Sequence, residues 1–161
     1  MKSWYIVILF ILLYSCAARE KKQAGEELPA FDLQLIDSVT NFNTAAIPAG
    51  APIALIYFSP DCEHCQKETK EILQHMDSLK QIRFYFISND PLDNMREYNK
   101  KFQLYNYSNI VLGRDTKFFF PAHFKKVSPP YIVTYGPDRI KKEIFMGETP
   151  IRQIISSVNT L

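Results

Sequence analysis

The chain has 161 residues, 47% of them hydrophobic and 22% charged, the size and composition of one globular domain with a single core. A formal charge of +2 is too small to point to nucleic acid as a partner. No repeat of solenoid length runs through the sequence, which excludes repeat architectures.

The first stretch stands apart from the fold. Lys2 precedes an apolar run from Trp4 to Tyr14. That run is shorter than the ~20 residues a bilayer span takes, and has the size of a signal-peptide core. Leu13-Tyr14-Ser15-Cys16 resembles a bacterial lipobox, with a small residue before a cysteine that becomes the lipid-modified N-terminus. The resemblance implies a lipoprotein signal peptide over residues 1–15 and acyl chains on Cys16 that hold the protein on a membrane surface. An ordinary secretory signal with an incidental Cys16 is the alternative. Residues 16–27 are polar, charged and aperiodic, so they are expected to form a flexible tether, with the folded domain over 28–161. With Cys16 acylated, Cys62 and Cys65 are the remaining thiols, in an oxidising compartment where disulfide chemistry is normal.

Alternation at Phe31, Leu33 and Leu35 predicts a first strand, and Asp37 to Asn43 a turn and a short second one. Ile53 to Phe58 is a continuous apolar run, as expected of a strand buried on both faces. Glu63 to Leu79 reads as one helix, with Cys65, Ile72, Met76 and Leu79 on its apolar side. A strand over 82–88, a helix over 92–102 and a short strand over 109–112 follow. The rings of Phe118, Phe119, Phe120 and Phe124 are expected to pack on the sheet as core. Strands over 131–135 and 140–145 flank a Gly136-Pro137-Asp138 turn. Thr149-Pro150 opens a last helix that buries Ile151, Ile154, Ile155 and Val158. Strands alternating with helices, then a hairpin and a helix, make an α/β sandwich.

Cys62 and Cys65 fall where the buried strand gives way to the helix. Unpaired N–H groups and the helix dipole favour negative charge there, hence a thiolate at Cys62. A protonated His64 would add to the effect. A structural staple is a weak reading, because so small a loop removes little unfolded-state entropy. Structural zinc wants four ligands, and His75 lies too far down the helix to join the pair. Copper stays open, since thiolate and imidazole suit it. Haem attachment needs His at position 66, which is Gln.

The apolar strand, C-x-x-C, helix and later proline before a strand resemble the thioredoxin superfamily. Within it the chain is most similar to the TlpA/ResA-like membrane-anchored thiol–disulfide oxidoreductases. Pro29-Ala30-Phe31, the hairpin to Asn43, Glu68 three residues past Cys65, Pro130 before Tyr131-Ile132-Val133, and Phe145-Met146-Gly147 match that family's pattern. The resemblance implies a thioredoxin-like three-layer sandwich with an N-terminal β-hairpin extension. It also implies a redox-active Cys62–Cys65 disulfide, Glu68 as a proton acceptor for Cys65 and a cis-proline facing the sulfurs. No cofactor is expected. Pro129 precedes Pro130, so which of the two is cis stays open, and position 56, an acid in thioredoxins proper, is Ile.

These readings converge on an enzyme that exchanges disulfides with thiol- or disulfide-bearing envelope proteins, lipid-anchored and facing the periplasm, supplied by a membrane-embedded electron donor. The short span between Ser88 and Pro130, about forty residues, leaves no room for the large helical insertion of DsbA-type oxidants. Cys-x-His-Cys argues the other way, because a cation beside the thiolate makes a stronger oxidant, so the direction of electron flow stays open. A copper-binding or non-catalytic thioredoxin-fold lipoprotein is one alternative. A thiol peroxidase is another, with Ser59 three residues before Cys62 where a peroxidase has threonine.

Overall fold

The computed structural model describes residues 25–159. Cys16, the leader before it and the tether up to residue 24 lie outside the described residues. No described helix is long and apolar enough to cross a membrane.

Seven strands form one mixed sheet: β1 Asp32–Leu35, β2 Asn41–Asn43, β3 Ile53–Tyr57, β4 Arg83–Ser88, β5 Ile110–Arg114, β6 Tyr131–Tyr135 and β7 Lys141–Met146. Their spatial order is β2-β1-β5-β4-β3-β6-β7. β3, β4 and β5 run parallel, while β6 and β7 continue antiparallel on one side. The β1–β2 hairpin adds to the other side through β5, with Leu35 opposite Gly113. Gly113 permits that approach: a Cβ there would stand 2.7 Å from Leu33 Cβ.

Side-chain alternation sorts β3 between two cores. Ala54 and Ile56 face a core shared with helices α1 Glu63–Gln74, α2 Met76–Leu79, α3 Leu92–Phe102 and α5 Ile151–Asn159. Ile53, Leu55 and Tyr57 face a second core shared with Phe31, Leu33 and Phe120 of α4 Phe119–Phe124. Helices, sheet and helix give the three layers expected, and β3 is buried along its whole length.

Several expectations need correction. The helix read over 63–79 breaks at His75, whose backbone leaves helical angles (φ −107°, ψ 14°) and whose ring Nδ1 lies 3.0 Å from the Glu71 carbonyl oxygen. A side chain engaging the carbonyl of the preceding turn competes with continued helix. Of the four phenylalanines, Phe120 is fully buried and stacks on Tyr57 (centroids 5.0 Å apart), and Phe119 stacks on Phe31 (4.7 Å). Phe118 instead points outward from a left-handed backbone (φ 55°), where the chain turns into α4. Ordered pairing begins before residue 28. Glu27 bridges Ile140, and the Glu26 carboxylate pairs with Lys141 and with His123. Charges read as solvated tether are thus docked on β7 and α4.

Candidate active site

β3 ends where the Phe58 N–H meets the Ile87 carbonyl, and Ser59-Pro60-Asp61 turns the chain into α1. The Cys62 N–H closes that turn on the Ser59 carbonyl at 3.1 Å. Gln66 pins it from inside, its Nε2 donating to the Pro60 carbonyl at 2.8 Å, and Lys101 of α3 donates in turn to Gln66 Oε1 at 2.7 Å.

Cys62 is the N-cap of α1. Its sulfur accepts the Cys65 N–H at 3.2 Å, the place a serine or aspartate oxygen takes in other helices. Negative charge on that sulfur would meet an otherwise orphaned N–H and the positive end of the helix dipole. Both thiols are free, Cys62 half-buried and Cys65 buried. Burial, and next the hydrogen bond with Cys62, push the Cys65 thiol well above its ordinary range. The pair is therefore asymmetric, with one reachable sulfur on a helix terminus and one protonated sulfur behind it.

The Pro129–Pro130 peptide is the cis one, which answers the question left open by sequence. Cys62 Sγ points at the Pro129 carbonyl oxygen, 3.8 Å away, and the Pro130 carbonyl accepts the Gly147 N–H at 2.9 Å. The proline loop and the end of β7 thus meet beside the reachable sulfur.

Glu68 lies on α1 one turn past Cys65 and is buried. Its Oε2 accepts the Thr149 N–H at 2.6 Å, while Oε1 is buried without a hydrogen-bond partner among the described residues. Burial raises its pKa to about 7, and the nearby charges of Glu148 and Glu71 push the same way against the Thr149 bond. His64 is exposed, with Nδ1 2.6 Å from Glu148 Oε1.

Sequence reasoning missed three contributors. Glu148 and Thr149 hold His64 and Glu68, yet nothing in a charge and a hydroxyl after Phe-x-Gly signals partners some eighty residues earlier. Tyr98 of α3 donates to the Cys65 carbonyl at 3.1 Å and shares a 2.6 Å hydrogen bond with Thr69. The sequence predicts a helix over 92–102, but neither the burial of Tyr98 nor its hydroxyl's destination.

No family model and no curated protein matches the chain. Solved structures do. A secreted disulfide oxidoreductase of Mycobacterium tuberculosis, homologous to the Escherichia coli DsbE, is 18% identical, with 77% of this chain and 91% of that one covered and a TM-score of 0.63. DsbF of the same organism, in mixed oxidised and reduced forms, is 20% identical, with 78% and 90% covered and a TM-score of 0.64. A peroxiredoxin-like protein of Aquifex aeolicus is 13% identical, with 83% and 85% covered and a TM-score of 0.62. The chain has the thioredoxin-like fold these proteins share, in line with the resemblance of its sequence to that superfamily.

Proposed function

We propose that this chain is a thiol–disulfide oxidoreductase of the bacterial cell envelope, anchored through a lipidated Cys16, that exchanges disulfides with protein partners through Cys62 and Cys65. The carrying observation is the asymmetry of the pair: Cys62 is reachable and caps α1, while Cys65 is buried behind it.

In the reducing direction the Cys62 thiolate attacks a partner disulfide. One partner sulfur leaves as a thiol and a mixed disulfide remains. Cys65 then loses its proton and attacks Cys62 Sγ. The second partner sulfur leaves, and the Cys62–Cys65 disulfide forms as the partner gains two electrons. Glu68 is the proposed proton acceptor, because its pKa of about 7 leaves it partly ionised at neutral pH and its Oε1 has no hydrogen-bond partner among the described residues. Pro130 presents the loop against which the partner segment would lie. A membrane-embedded donor would reduce the disulfide again, and the opposite flow uses the same steps reversed.

The test is capture of partners on Cys65→Ala in intact cells. Resolution is blocked in that variant, so proteins linked through Cys62 should accumulate and be released by reductant. Their absence, or equal capture by a variant lacking both cysteines, would reject the exchange reading. The anchor is tested separately: Cys16→Ser should leave the domain folded but free it from membranes or block processing. A processed variant that still fractionates with membranes would reject lipidation.

A peroxidase reading draws on the peroxiredoxin-like neighbour, which has the same fold. Oxidation of Cys62 by hydrogen peroxide much faster than a free thiol, without partner capture, would favour it. Stoichiometric Cu(I) binding by the dithiol without exchange would favour the copper-binding alternative.

A further inference from the structure

Glu148 is the residue after Gly147, whose N–H bonds the cis-proline carbonyl, and before Thr149, whose N–H bonds Glu68. Its own carboxylate reaches the other side of the site, 2.6 Å from His64 Nδ1 and 3.5 Å from Lys67 Nζ. One short strip after β7 therefore touches the proline loop, the buried acid and the histidine between the two cysteines. A cavity of about 410 Å³ opens beside it, lined by Lys67, Glu68, Glu71, Glu148, Thr149 and Pro150.

The His64–Glu148 pair is exposed, with side-chain exposures of 66% and 45%, and exposed pairs contribute little to stability. Its consequence is electrostatic and local. A histidine beside a thiolate stabilises the reduced form when its charge faces the sulfur. Here the ring is paired with a carboxylate, which offsets that charge whenever the ring carries it.

We propose that Glu148 is a positioning residue of the exchange site, holding the His64 ring away from Cys62 and offsetting its charge, so that the Cys62–Cys65 disulfide is harder to reduce than Cys-x-His-Cys alone would make it. The proposal rests on the exchange reading above. It also assigns opposing effects to two neighbouring side chains, His64 favouring the dithiol and Glu148 the disulfide.

The experiment is equilibration with glutathione at pH 7. Two glutathione thiols give two electrons and two protons to the protein disulfide, yielding the Cys62–Cys65 dithiol and one glutathione disulfide. Glu148→Gln should shift that equilibrium toward the dithiol about two- to fivefold, the size of one charge at a helix terminus. In a His64→Ala background the same substitution should shift it by less than half as much, because the ring it acts through is gone. An equilibrium constant equal to the parent's, or an equal shift with and without His64, overturns the proposal while leaving the exchange reading intact. A parent protein that forms no Cys62–Cys65 disulfide with glutathione overturns both.

Discussion

Glu68 Oε2 accepts the backbone N–H of Thr149 at 2.6 Å, across 81 positions of sequence. The bond joins the second turn of the cysteine-bearing helix to the start of the last helix. It satisfies one carboxylate oxygen and leaves the other buried with no partner among the described residues. Desolvation outweighs the single bond, so the acid sits near neutrality rather than in the usual carboxylate range.

Glu68→Gln should slow resolution of the mixed disulfide and leave the first attack by Cys62 nearly unchanged. The two steps differ in which sulfur must lose a proton, and Cys65 is the one that burial keeps protonated. A well-positioned general base contributes ~10²-fold or more. Stopped-flow measurement of both phases separates them. Equal rates in the variant and the parent would remove Glu68 from the mechanism.

The same acid makes stability depend on pH. Between its ordinary value of 4.5 and about 7, folded Glu68 holds a proton that the unfolded chain releases. The folded state binds more protons in that window, so this group's contribution to stability falls as pH rises through it. The loss is complete above about pH 8 and amounts to at most ~3 kcal/mol. Glu68→Gln carries no such charge. Its melting temperature relative to the parent's should therefore rise from pH 5 to pH 8, and a constant difference would contradict the raised pKa.

The parts of this site that sequence reveals are those set by local chemistry. An unbroken apolar run of strand length is what a strand buried on both faces looks like, and Ile53 to Tyr57 is one. A C-x-x-C at its end lands on a helix terminus, as the cap at Cys62 confirms. What stayed hidden depends on distant partners. His75 ends α1 through its own ring and backbone, although the apolar spacing continues to Leu79. Glu26 looks like tether until Lys141 and His123 are folded against it. The pairing of His64 with Glu148 shows only once the fold brings residues 84 positions apart together.

Tyr98 provides a test of how firmly α3 holds the active-site helix. Its hydroxyl is buried between the Cys65 carbonyl and Thr69, and its ring packs on Phe58 and Phe102 at 4.7 and 4.6 Å. Tyr98→Phe keeps the ring contacts but leaves a buried Thr69 hydroxyl without that partner. The expected cost is ~1–2 kcal/mol, read as a lower urea midpoint at unchanged slope. Replacing Thr69 with Val in the same chain should recover part of it, since both polar groups are then gone. An unchanged midpoint in Tyr98→Phe would mean that the two hydrogen bonds contribute nothing net.

The asymmetry between the two thiols should show in their chemistry. Cys62 is half-buried at the helix cap, whereas Cys65 has 1% exposure. Burial and the bond with Cys62 both hold the Cys65 proton, and the thiolate is the form that alkylates. Iodoacetamide at pH 8 should therefore modify the reduced protein once, at Cys62, and peptide mapping by mass spectrometry would locate the adduct. Alkylated Cys62 can no longer take part in exchange, so single modification should abolish it. Unfolding the chain first should make both cysteines react. Equal labelling of Cys62 and Cys65 in the folded protein would mean that Cys65 is not withheld from solvent. The division into an attacking and a resolving sulfur would then lose its structural basis.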